Sequence, residues 1–221
     1  MKRQRDQQRR IALFVEGDTE TGEARRRTLP IFFHNWLDPQ LPDGKRVGIQ
    51  PVKFQGVSNY IDDLAQKVEI YLEQQKVNYV VGLIDLYGIP SSRVDLTNCA
   101  TVQAKIERAR EVLTRLVPER FRNRFVQHFA VHEVEAWLLA YPNEWPPEIR
   151  DQIRKRLPEQ VNFNEPPAKF LQRLLGRKYR KTVEAMNKFP RVEPQTAIDA
   201  CPNLRILAQD LLAIAKWLTL R

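Results

Sequence analysis

Two periods of hydrophobicity alternate along this chain. Arg10 to Glu16 and Val77 to Asp85 are short runs, apolar at nearly every position, and each is closed by a glycine-containing turn, Gly17 after the first and Gly88 with Pro90 after the second. Runs of that length that are apolar on both faces predict strands buried on both faces. Val47–Phe54 reads as a weaker strand and Phe125–Val131 as a further one. Between the strands the period lengthens. Asn59–Gln74 carries Ile61, Leu64, Ala65, Val68, Tyr71 and Leu72 at helical spacing, with Ser58 as the expected N-cap. Glu20–Leu37 places Leu29, Phe32, Phe33 and Trp36 on one stripe that Pro30 should kink or restart, and Thr101–Leu116 carries Val102, Ile106, Ala109, Val112, Leu113 and Leu116. His132–Tyr141 reads as a helix after the last strand.

Strands alternating with helices predict right-handed βαβ units and a mostly parallel sheet with flanking helices, an α/β fold of the Rossmann type. From Pro142 onward prolines punctuate short helical segments, of which Ala168–Lys188 and Asn203–Leu220 are the clearest. The expected organisation is a basic arm at 1–10, an α/β core at 11–141 and a helical C-terminal part at 142–221 packed on the core.

Composition agrees with a packed domain: 221 residues, 43% hydrophobic and 29% charged. Cys99 and Cys201 make no disulfide framework, and no apolar run is long enough for a signal peptide or a membrane span. A cytoplasmic protein without a membrane partner is expected. The formal net charge of +9 is unevenly spread. Residues 1–10 hold Lys2, Arg3, Arg5, Arg9 and Arg10 against Asp6, and residues 150–181 hold ten cations against Asp151, Glu159 and Glu165, so the remainder is slightly acidic. In the predicted helix from Pro167, Lys169, Arg173, Arg177 and Lys181 recur every four residues. Like charges at that spacing repel, so the ladder suits a covering polyanion such as a nucleic-acid backbone, although a solvated face has the same pattern. Tyr179, Trp137 and Trp145 are able to stack bases, but aromatics near apolar residues are usually core.

Candidate chemistry lies at the strand ends, where open parallel sheets bind ligands. Glu16 ends the first strand, Asp85 the central one, and His132-Glu133-Val134-Glu135 follows the last. Clustered carboxylates repel unless a cation neutralises them, and oxygen ligands favour Mg²⁺ or Mn²⁺, which would polarise a phosphodiester and orient water. Glu16, Asp85, Glu133 and Glu135 are thus candidate catalytic residues, with Glu16, Asp85 and Glu133 as metal ligands. Glu20, Tyr87 and His132 are supporting candidates, a histidine in that place being more often a hydrogen-bonded structural residue than a hard-metal ligand.

These residues carry a resemblance. VEGDTE at 15–20 followed by IDLYG at 84–88 resembles the Toprim-type metal-binding domain of topoisomerases, primases and overcoming-lysogenization-defect nucleases. With HEVEAWLLA at 132–140, PEQVN at 158–162, YRK at 179–181 and CPNL at 201–204, the chain is similar to the Toprim-related prokaryotic family called domain of unknown function 4276. The resemblance implies a Toprim-like fold with Glu16 as the motif glutamate and Asp85 as the first acid of the aspartate pair. It also implies a nuclease and a place beside a partner ATPase in anti-phage defence or mobile-element systems. The usual Asp-x-Asp is here Asp85-Leu86-Tyr87, so a phenol stands where the second acid belongs. An alternative is therefore a catalytically inactive subunit that binds nucleic acid or an ATPase.

Overall fold

The computed structural model describes residues 9–17, 28–42, 44–131, 133–160, 165–176 and 179–220. Its centre is a four-stranded, wholly parallel sheet of β1 (Arg10–Val15), β2 (Gly48–Lys53), β3 (Tyr79–Asp85) and β4 (Phe125–Ala130), in the order β2-β1-β3-β4. β1 and β3 are interior strands, which is why their sequences are apolar throughout. β2 is an edge strand, so it tolerates Pro51, which lacks the N–H that an interior strand would need.

The connections are helical. α1 (Thr28–Leu37) joins β1 to β2, α2 (Val57–Glu69), prolonged by a π-helical turn at Ile70–Gln74, joins β2 to β3, and α3 (Val102–Leu116) joins β3 to β4. Alternate residues of the strands divide between two cores. Ile11, Leu13, Val15, Val81 and Leu83 pack with α1, whereas Ala12, Phe14, Val80 and Ile84 pack with α2 and α3. α1 thus covers one face and α2 with α3 the other, as right-handed crossovers require when the chain reverses its direction across the sheet after β2.

The chain then continues through α4 (Glu135–Leu138), α5 (Pro147–Arg154), α6 (Pro167–Leu175), α7 (Lys181–Lys188), α8 (Pro194–Ala200) and α9 (Pro202–Thr219). This helical part is not a separate unit. Ile149, Phe170, Phe189, Leu204 and Leu211 share the α1-side core with the strands. Phe32 of α1 stacks on Trp137 at 6.3 Å between ring centroids, and Phe189 meets both edge-on. Trp137 and Trp145 are buried, so both belong to the core and neither is available to stack a base. Cys99 and Cys201 are both free thiols. Among the described residues no helix is long and apolar enough to cross a membrane.

Several local expectations change. α2 begins at Val57 with Gly56 as its N-cap, so Ser58 lies inside the helix. The predicted arm ends earlier than residue 10: Arg9 Nε donates to the Leu218 carbonyl at 2.7 Å, and Arg10 is the first residue of β1. Residues 1–8 and 20–27 lie outside the described residues. Within His132–Tyr141 only Glu135–Leu138 is α-helical. The predicted helix 168–188 is two helices, because Gly176 takes φ +59°, a backbone geometry that ends α6 and that only glycine adopts without strain.

Candidate functional site

In the order β2-β1-β3-β4 the chain leaves β1 toward one edge and returns to the other side of it, so the topological switch point lies between β1 and β3. Crossovers diverge there, leaving a crevice at the carboxyl ends of the two strands. Glu16 follows β1, and Asp85 is the last residue of β3, with Val15 paired to Leu83 in the register between them. The two acids that the sequence singled out therefore stand side by side at the crevice.

Their closeness is measured at Gly88, which ends the short 3₁₀ turn Leu86–Gly88 after β3. A Cβ placed on Gly88 would lie 3.6 Å from Glu16 Oε2, 3.6 Å from Asp85 Cβ and 3.0 Å from Cγ2 of Val57. The end of β1, the end of β3 and the first turn of α2 thus converge on a bare backbone. The Gly56 N–H also donates to the Glu16 carbonyl at 3.3 Å, fixing the N-terminus of α2 against the end of β1. That end of the helix carries partial positive charge, which favours neighbouring carboxylates and anions.

Two oxygen donors at such a cradle fit a hard cation that takes one or two protein carboxylates and leaves its other positions to water or phosphate oxygens. Among the described residues no group of three or more His, Cys, Asp or Glu that could hold an ion is present. Glu20 and His132 lie outside the described residues.

Glu133 and Glu135 stand on the segment after β4, whose last residue, Ala130, pairs with Asp85. Glu133 Oε2 accepts the Ala168 backbone N–H at 2.9 Å and so caps the N-terminus of α6, where it satisfies one of the helix's unpaired donors. Glu135 is fully buried at the start of α4. Both lie near Tyr179, whose hydroxyl is pushed well above its ordinary range by burial and then by the negative charges of Glu135, Glu133 and Glu184. Among the described residues these acids complete no three-acid group with Glu16 and Asp85.

Tyr87, two residues beyond Asp85, is half-buried, and burial pushes its hydroxyl up to about 12. It is a neutral phenol at any physiological pH and supplies no charge in place of a second acid. Lys105, in the second turn of α3, sets its Nζ 5.5 Å from the centre of the Tyr87 ring. The sequence reading missed Lys105, because nothing local marks it: its relevance comes from the path of residues 86–101, which folds the loop after β3 back onto the start of α3.

The basic ladder is also rearranged. Lys169 is exposed on α6, but Arg173 is held by Glu165, with Nε at 2.5 Å and a second nitrogen at 3.1 Å from the carboxylate, and its guanidinium lies over Phe170. Arg177 lies outside the described residues, and Lys181 opens α7, a separate helix. A continuous four-rung ladder on one helix therefore does not form.

Glu159 of the PEQVN segment is the buried acid whose purpose is plainest. Its Oε2 accepts from the Asn203 backbone N–H at 2.7 Å and from Asn203 Nδ2 at 3.0 Å, and its Oε1 accepts from the Leu204 N–H at 3.2 Å. Burial holds the Glu159 carboxyl above its usual range against these hydrogen bonds, and burial, followed by the Glu159 charge, pushes the Cys201 thiol up. Glu159 of PEQVN and Asn203-Leu204 of CPNL thus meet at one structural cap, that of α9.

Fold and site together define a four-stranded parallel α/β protein with two carboxylates at the switch point of its sheet. The chain belongs to the family described as Domain of unknown function (DUF4276), whose model matches residues 15–212. A solved structure of the C-terminal region of the Xanthomonas campestris pv. campestris OLD protein is similar over 95% of this chain and 96% of that one, at 16% sequence identity and a TM-score of 0.44. No curated protein matches the chain in sequence.

Proposed function

We propose that this protein is a Toprim-like, divalent-metal-dependent nuclease acting on nucleic-acid phosphodiesters. The observation that carries the reading is the convergence of Glu16 and Asp85 on Gly88 at the switch point. Glu16 and Asp85 would hold Mg²⁺ or Mn²⁺, which when bound supplies Lewis acidity toward a phosphoryl oxygen. The residues' own part is to keep two negative charges close together, at a glycine that lets the substrate backbone approach, beside the positive end of α2. Lys169 and the cation-rich segment around it supply a positive flank for phosphates, with Glu165 competing for Arg173.

Tyr87 favours a second reading, a non-catalytic subunit that binds nucleic acid or a partner ATPase, since a neutral phenol gives the site one acid fewer than the Asp-x-Asp arrangement.

Calorimetric titration with Mn²⁺ tests the first reading on the wild type, Glu16→Gln and Asp85→Asn, each checked for native circular dichroism. Binding by the wild type that both substitutions remove, with cleavage of DNA or RNA that they also abolish, supports the nuclease. Binding of metal without cleavage supports the subunit, and no metal binding by the wild type sinks the metal-centre assignment.

A further inference from the structure

Beside Asp85 the loop 86–97 and the start of α3 enclose an open depression of about 220 Å³. Leu86, Ile89, Val94 and Leu96 form its apolar floor and sides, while Tyr87 and Lys105 line it as the aromatic and cationic members. The hydroxyl residues Ser91 and Thr97 also line it. The lining of this depression begins at Leu86, the residue that immediately follows the candidate metal ligand Asp85 in the chain.

Its dimensions and chemistry select an occupant. Pockets for drug-sized ligands run to about 300–1,000 Å³, so this one admits a single small ring system and not a base pair. An apolar floor with an aromatic wall suits a flat, weakly polar ring. Hydroxyl groups suit its hydrogen-bonding edge, and a lysine at the aromatic wall suits an anion attached to it. A nucleobase with its own phosphate has that combination.

We infer that the Tyr87–Lys105 depression seats one unpaired nucleobase next to the phosphodiester held at Glu16 and Asp85, so that the substrate class is single-stranded or locally unpaired nucleic acid. The inference rests on the proposed function and specifies its substrate. A base inside a duplex is stacked and paired, and it reaches such a pocket only by leaving the helix. Tyr87 is a binding residue in this account: where Asp-x-Asp would place a second carboxylate, its ring contributes a surface. Lys105 holds the phosphate on the pocket side.

Fluorescence anisotropy tests this with a labelled short single-stranded DNA, the RNA of the same sequence and the corresponding DNA duplex, each with a phosphorothioate backbone that resists cutting, in Ca²⁺ so that the carboxylates hold a hard cation. The wild type is expected to bind at least one of the single strands about tenfold or more tightly than the duplex, and the DNA and RNA arms tell which sugar is preferred. Loss of the aromatic surface in Tyr87→Leu should weaken single-strand binding about tenfold, within the range of one base stack, while Tyr87→Phe keeps it. Lys105→Met should reduce the slope of log affinity against log salt by roughly 0.7, the share of one phosphate contact on a single strand. Equal affinity for duplex and single strand, unchanged binding by Tyr87→Leu, or no binding of either would overturn the inference. The Mn²⁺ titration run on the same preparations separates the two failures. Mn²⁺ binding that persists while strand binding fails condemns the pocket alone, whereas its absence in the wild type condemns the metal centre beneath it.

Discussion

Glu133 and Ala168 are 35 residues apart, yet the carboxylate of the first accepts the backbone N–H of the second at 2.9 Å. The bond ties the segment leaving β4 to the first turn of α6 and commits to helix capping an acid that, by its place after a strand, suits a metal site equally well. Glu133→Ala should therefore cost about 1 kcal/mol of stability, the usual worth of a side-chain cap. Mn²⁺ affinity should stay within about twofold of wild type, as expected of a residue whose carboxylate serves the cap. Urea denaturation and calorimetry check the two halves, and a full loss of Mn²⁺ binding with stability intact would return Glu133 to the metal centre.

Gly82, in the middle of β3, has no room for a side chain. A Cβ there would collide with the Tyr60 hydroxyl and lie 2.5 Å from Gln127 Oε1, and the Tyr60 O–H donates to that same oxygen at 2.5 Å across the strand. Gly82→Ala must either break this buried hydrogen bond or push the sheet apart. A loss of about 2–4 kcal/mol in chemical denaturation is expected, from overpacking together with an unsatisfied buried donor. A loss below about 0.5 kcal/mol would mean that Tyr60 swings aside freely.

Glu159 holds three donors of the first turn of α9 from 44 and 45 residues away. Glu159→Ala strands those groups where water has little access and should cost about 2–3 kcal/mol. Glu159→Gln keeps an acceptor oxygen and should cost less. Thermal melts of the two variants beside wild type give the order, and equal melting of all three would remove the cap from the account of this fold.

Asp210 on α9 meets the buried His128 of β4, Nε2 to Oδ2 at 3.1 Å. The adjacent His128 ring, and after it Arg110, hold the Asp210 carboxyl below its ordinary value. A carboxylate whose folded pKa is depressed stabilises the fold above its unfolded value, about 3.9, and loses that contribution as the pH falls through the folded value. Nearly half of the Asp210 side chain is in water, so screening limits the effect to below about 1 kcal/mol. Asp210→Asn should be less stable than wild type at pH 6–7, and the gap should close below roughly pH 3–4. A gap that is constant across that range would show that the carboxylate's charge is not what matters.

Local pattern was enough for a good part of this protein. The short all-apolar runs around Leu13 and Val81 read as interior strands, and the 3.6-residue stripes at 61–72 and 102–116 as helices, since those periods are set by backbone geometry within a few residues. The acids that close the two interior strands, Glu16 and Asp85, were visible for the same reason: an ionisable residue at the end of a doubly buried strand emerges at the carboxyl-end rim of the sheet.

What the chain pattern left open was decided by contacts far apart in sequence. Strand order, and with it the switch point between β1 and β3, follows from which edges pair and from the handedness of the crossovers. The duties of Glu133 and Glu159 follow from helices that begin 35 and 44 residues later. The break at Gly176 depended on a backbone angle that a glycine permits but does not dictate. The meeting of Tyr87 with Lys105 depended on the path of the loop between them. Sequence alone determined a parallel α/β domain with acids at its strand ends. Tertiary structure chose which of those acids face one another and which cap helices, because a carboxylate answers to the nearest unpaired donor or cation, and only the folded chain establishes which is nearest.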